Sequence, residues 1–125
     1  ERPRHTFVGY FIGSPGMNVM PVVIDGKTAT LGSQRIELPG VPKAAGTVEL
    51  GIRPEYVRLG RDGMAVSISK VEDVGRHKVV RAKLEGRDIA AVIDEDETVP
   101  AEPKVRFDPA GINIYADSWR VEMGA

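Results

Sequence analysis

Short alternations of apolar and polar residues run along most of the chain. Val48, Leu50 and Ile52 alternate with Glu49, Gly51 and Arg53, the period of a strand with one buried face. The same period recurs at Met64, Val66 and Ile68, at Val80, Ala82 and Leu84, at Ile89, Ala91 and Ile93, and at Val105 and Phe107. Val71 and Val74 follow the second of these around Asp73. Turn signals separate the runs: Asp25-Gly26, Asp62-Gly63, Glu85-Gly86 and Asp108-Pro109-Ala110-Gly111. Residues 22–24, 28–31 and 34–38 read as three strands joined by tight turns, and Ile112, Ile114 and Tyr115 as a last strand. Residues 39–43 read as a loop, 94–98 as an acidic loop and 99–103 as a Pro-rich connection. The tail from Ala116 shows no clear period. Many short strands at such spacings predict a small antiparallel barrel or sandwich. A weak break at residues 39–46 places most of the barrel in residues 47–125.

One stretch has a different period. Phe7, Val8, Phe11 and Ile12 form a stripe at helical spacing, which predicts a short helix over residues 4–12. Pro3 suits a first turn, Gly13 suits a left-handed stop, and Pro15 prevents continuation. A helix this short is marginal alone and needs a surface to dock on.

Composition narrows the function classes. The 125 residues suit one domain, and 42% apolar residues allow a real core. With 14 glycines and 9 prolines, turns outnumber long helices. Lys and Arg number 17 against 18 Asp and Glu, for a net charge of −1. That balance argues against nucleic acid as the partner. There is no cysteine, hence no disulfide or thiolate metal site, and no apolar run is long enough for a transmembrane helix. The charged start, Glu1-Arg2-Pro3-Arg4-His5, reads as a cut from a longer polypeptide.

Candidate chemistry is sparse. The phosphate-binding pattern GxxxxGK[ST] and the dinucleotide pattern GxGxxG are both missing from these residues. The two histidines, His5 and His77, lie far apart and offer no zinc ligand set. None of the serines, Ser14, Ser33, Ser67, Ser69 and Ser118, sits in a nucleophile elbow. Asp94-Glu95-Asp96-Glu97 lacks the spaced oxygens and glycine hinge of a calcium loop and reads as solvated. The reading is therefore of no catalytic residue, no metal and no cofactor within these residues.

Two stretches are more specific. Residues 7–18 read Phe-Val-Gly-Tyr-Phe-Ile-Gly-Ser-Pro-Gly-Met-Asn, and residues 50–57 read Leu-Gly-Ile-Arg-Pro-Glu-Tyr-Val. Both resemble hallmark sequences of the maltose-type ATP-binding subunits of carbohydrate and glycerol-phosphate ABC importers, in the same order and at similar separation. Gly9 stands where alanine is commoner, and Tyr56 where histidine is commoner.

The resemblance implies a transport-associated OB-type barrel, the TOBE domain, related to molybdate-binding modules. Residues 1–18 would then be the connecting helix and turn from a nucleotide-binding domain, and residues 19–125 the regulatory domain. It implies no activity for this piece. ATP and magnesium belong on the nucleotide-binding domain. Partners would be a second copy of the subunit, the membrane permease subunits and a cytoplasmic regulatory protein, at the cytoplasmic face of a bacterial inner membrane. By resemblance, Gly51, Arg53, Pro54 and Glu55 are expected in regulation and subunit contact. Phe7, Phe11, Gly13, Pro15, Met17 and Asn18 are expected to dock the helix and fix where the first strand starts, Asn18 by capping a turn. Arg53 offers a planar fork for a carboxylate, either Glu55 or a neighbour in the domain, or one across a dimer interface. The alternative reading is a small sensor of oxyanions, with Ser67, Ser69, Lys70 and Lys78 as candidate contacts.

Overall fold

The computed structural model describes residues 16–42, 46–116, 119–121 and 123–124. The predicted helix over 4–12, with Phe7, Phe11, Gly13 and Pro15, lies outside them.

The described chain is built from antiparallel strands joined by turns. They are β1 (Asn18–Asp25), β2 (Thr28–Leu31), β3 (Gln34–Glu37), β4 (Val41–Pro42), β5 (Gly46–Ile52), β6 (Val57–Gly60), β7 (Met64–Ala65), β8 (Ser67–Asp73), β9 (His77–Leu84), β10 (Arg87–Asp94), β11 (Lys104–Phe107), β12 (Ile112–Ala116), β13 (Trp119–Val121) and β14 (Met123–Gly124). Single 3-10 turns at Pro54–Tyr56 and Pro109–Gly111 interrupt the order. The fold is mainly β and antiparallel, as the alternations predict, and it agrees with the OB-type barrel that the resemblance implies.

The largest sheet runs β13-β12-β5-β1-β2-β3. β5 is its hinge strand, pairing on one side with β1 and on the other with β12. Residues 18–38 therefore belong to the same sheet as the C-terminal strands, and the break expected at 39–46 does not divide the core. Two further three-stranded sheets, β10-β9-β8 and β6-β11-β7, share its core. Met20, Leu50, Ile52 and Ile114 from the large sheet meet Val57, Val80, Leu84 and Val105 in one cluster, each almost fully buried. At about 25 cal/mol per Å² of apolar surface, each of these side chains stabilises by roughly 1.5–3 kcal/mol.

Several places differ from expectation. β6 is a strand, although only Val57 and Leu59 mark it. β4 lies within the predicted loop and pairs with β14 from the tail. Val74 falls outside β8 and is 62% exposed. β8 itself is an edge strand with most positions exposed, and its register shifts between Ile68 and Lys70.

The hairpin tips are tied together. Glu85 sits at the β9–β10 turn with φ 51, a left-handed conformation uncommon for a residue with a side chain. Its carboxylate accepts from Ser33 N (3.1 Å), Ser33 Oγ (3.1 Å) and Gln34 Nε2 (3.4 Å) at the β2–β3 turn. The Ser33 amide above all, then the Gln34 and Ser33 side chains, hold this carboxyl below its ordinary value of 4.5.

Candidate functional site: two facing corners

β5 and β6 are one strand bent at Pro54–Tyr56, and β11 and β12 are one strand bent at Pro109–Gly111. The two bent strands run antiparallel to each other. Ile52 faces Ile112 before one corner, and Val57 faces Phe107 after it. The local sequences match in outline, Arg53-Pro54-Glu55-Tyr56-Val57 against Asp108-Pro109-Ala110-Gly111-Ile112. In each, proline takes the first helical position, where no N–H is needed. Tyr56 N donates to Arg53 O (3.0 Å) and Gly111 N to Asp108 O (2.9 Å). Asp108 N donates to Tyr56 O (2.9 Å), which joins the corners. Gly111 lies against Tyr56 so closely that any Cβ would strike the tyrosine ring.

The corners differ at their first residue. Asp108 caps its turn, its Oδ1 accepting from Ala110 N (3.0 Å). Its Oδ2 accepts from Arg58 Nη2 (3.0 Å). The Ala110 amide first, and Arg58 second, hold the Asp108 carboxyl below 3.8. Arg53 occupies the equivalent position with no side-chain cap. Arg53 and Glu55 are both exposed on either side of buried Pro54. Neither makes an ion pair among the described residues, so the pairing of Arg53 with Glu55 or a neighbour within the domain does not form there.

The two sequence stretches meet behind this corner. Val19 pairs with Gly51 and Asn18 with Ile52. The Tyr115 hydroxyl donates to Met17 Sδ (3.6 Å). A Cβ on Gly51 would lie 2.7 Å from the Tyr115 ring and 3.0 Å from Met17 Sδ. Gly51 is thus a packing requirement, buried rather than presented for contact. Asn18 is not a turn cap: it is the first residue of β1 and is buried. Its Nδ2 donates to Ala90 O (2.9 Å), and its Oδ1 accepts from Ala90 N (2.7 Å). The partnerships of Arg58 with Asp108 and of Asn18 with Ala90 were not anticipated.

The candidates for an oxyanion site do not converge. Ser67, Ser69 and Lys70 are exposed on β8, and Lys70 pairs with Glu72 at 3.4 Å. Lys78 Nζ donates to Glu97 O at 3.1 Å. Among the described residues no group of three or more His, Cys, Asp or Glu is placed to hold a metal ion, and no helix is long and apolar enough to cross a membrane.

Comparison with known families bears on this corner directly. A model described as the MalK OB fold domain matches residues 13–57, and one described as the TOBE domain matches residues 50–112. The chain belongs to the TOBE-domain family. The two matches overlap over residues 50–57, which is the Arg53–Glu55 corner, and the TOBE match ends at Ile112, the partner of Ile52. The chain is 36% identical over 118 residues to the sn-glycerol-3-phosphate import ATP-binding protein UgpC of Ruegeria sp. (strain TM1040), covering 92% of this chain and 33% of that protein. It is 37% identical over 130 residues to the UgpC of Paracoccus denitrificans (strain Pd 1222), covering 92% and 34%. It is 32% identical over 115 residues to the uncharacterized ABC transporter ATP-binding protein y4oS of Sinorhizobium fredii, covering 87% and 31%. The chain thus spans about a third of the length of these relatives.

Proposed function

We propose that this TOBE domain is the regulatory and dimerisation domain of the ATP-binding subunit of a carbohydrate- or sn-glycerol-3-phosphate-type ABC importer. The relatives of that name and the domain match support the reading. The residues ahead of β1 then lead in from the nucleotide-binding domain, which carries ATP and magnesium, and Asn18, in β1, belongs to the barrel. The subunit sits at the cytoplasmic face of the membrane beneath the permease subunits, and a cytoplasmic regulatory protein is a further partner.

One observation carries the contact assignment. Arg53 takes a capping position, caps nothing and is exposed beside exposed Glu55, while its counterpart Asp108 caps its turn and is paired with Arg58. A cap is worth about 1 kcal/mol, so the corner forgoes stability to keep a cation there. A guanidinium and a carboxylate exposed on either side of a buried proline form a self-complementary pair. A second copy across a two-fold axis can meet each with the other. Such pairs, once desolvated, cost about 2–5 kcal/mol to break. In the complete ATP-binding subunit, Arg53→Glu is expected to lower ATP-driven uptake at least about tenfold, and Arg53→Glu with Glu55→Arg to restore part of it. Full uptake by Arg53→Glu would contradict the reading.

A further inference from the structure

β8 is the outer strand of β10-β9-β8, and among the described residues no strand pairs with its far side. The hairpin decides which of its backbone groups are left over. Val74 N donates to His77 O (3.0 Å), so these two residues face each other as a bonded pair. Bonded and non-bonded pairs alternate along an antiparallel ladder. Glu72 and Lys70 are therefore bonded to β9, opposite Val79 and Arg81, whereas Val71 and Asp73 turn their N–H and C=O to the open edge. The register shift between Ile68 and Lys70 bounds this row at one end, and the turn at Gly75 at the other.

A lysine or a bulge on an edge strand ordinarily repels a second strand. β8 has both, yet it keeps an apolar side chain on show between two charges. Val71 is 45% exposed, although its cross-strand partner Val80 is only 1% exposed. Lys70, exposed, and Glu72, half-buried, flank it. The order Lys70-Val71-Glu72 is its own complement. When two copies pair antiparallel about a two-fold axis at Val71, each Lys70 faces a Glu72 and the two valines meet. The lysine that would repel another strand is then neutralised. Glu72 already holds Arg81 (2.8 Å) and Lys70 (3.4 Å) of its own chain, so pairing closes one network across both copies. Backbone phase agrees with charge order, because the Val71 N–H and C=O are among the groups that point outward. Axes at Lys70, Glu72 or Asp73 would each set a charge against itself.

We propose that the free edge of β8 pairs antiparallel with β8 of a second copy of this chain, about a two-fold axis at Val71, so that two three-stranded sheets become one continuous sheet. This surface is separate from the Arg53–Glu55 corner: the Pro54–Tyr56 turn packs on β10, and β9 stands between β10 and β8. The proposal does not rest on the importer reading. A row of about four residues buries well under the roughly 1,200 Å² of a stable interface, so the contact between free chains is weak and is best trapped.

The test is disulfide trapping in the chain, which has no cysteine of its own. Bonded antiparallel partners stand about 5.5 Å apart at Cα, inside the span of roughly 4.4–6.8 Å that a disulfide bridges. Val71→Cys should therefore trap a dimer under mild oxidation. Lys70→Cys, equally open to solvent, sets its two thiols out of register, more than about 7 Å apart at Cα, and should trap at least about tenfold more slowly. On the Val71→Cys background, Lys70→Glu should slow trapping, and Lys70→Glu with Glu72→Lys should restore it. That recovery separates a lost contact from a lost fold. Equal rates at positions 70 and 71, or a rate indifferent to the charge changes, would overturn the proposal. So would a Val71→Cys chain that reacts freely with a small maleimide and stays monomeric. Trapping at position 71 together with full uptake by Arg53→Glu would sink the importer contact and leave this one standing.

Discussion

The carboxamide of Asn18 makes both hydrogen bonds to the peptide groups of Ala90, at 2.7 and 2.9 Å, across 72 positions of sequence. β10 is the edge of its sheet, and Ala90 would otherwise bury an unpaired N–H and C=O there. The side chain acts as a strand for one residue and joins the large sheet to β10. Asn18→Leu leaves both groups unsatisfied. We predict a loss of about 2–4 kcal/mol in urea denaturation, and a similar loss for Asn18→Asp, which cannot donate.

Gly51 is buried between Tyr115 and Met17. Gly51→Ala should cost about 1–3 kcal/mol through overpacking. Met17→Ala removes one of the two obstacles, so the double variant should lose less than the sum of the two single losses. Additive losses in thermal unfolding would count against the contact.

The uncapped corner gives a prediction opposite in sign. Arg53→Asp supplies the acceptor that Asp108 supplies at the second corner, and should stabilise the domain by about 0.5–1 kcal/mol. In the complete subunit the same change should impair uptake. A gain in folding with a loss of function is the signature of a residue kept for contact.

The clasp at Glu85 sets a pH dependence. Its carboxyl is held below 4.5 in the folded chain by Ser33 and Gln34. A depressed carboxyl contributes stability that is fully present above its unfolded value and is lost as pH falls through the folded one. The melting temperature of Glu85→Gln should therefore trail the parent by a constant margin from about pH 6 upward, and the margin should shrink below about pH 4.5. A margin independent of pH would mean that the clasp does not depend on charge.

Strands with three or more alternating apolar positions, such as β5, β9 and β10, were legible because one buried face dictates period two. β6 has only Val57 and Leu59 to show, and β4 lies in a Pro-rich stretch whose partner β14 is distant in sequence. Local pattern carries no signal for such pairings. Asn18 was singled out, but its partner was not, because a side chain reaching another sheet leaves no period. The Arg53–Glu55 corner was found by resemblance. Its difference from the second corner emerges only when β5–β6 and β11–β12 are seen side by side.

The Arg53–Glu55 corner is proposed to meet a second copy of the subunit. The chain has no cysteine of its own, so Glu55→Cys in the assembled transporter can carry a single photoactivatable cross-linker on this domain. An adduct of two ATP-binding subunits, lost when Arg53 is changed to Glu, is the predicted product. A position 55 that labels freely in the assembly and yields no subunit–subunit adduct would contradict the account.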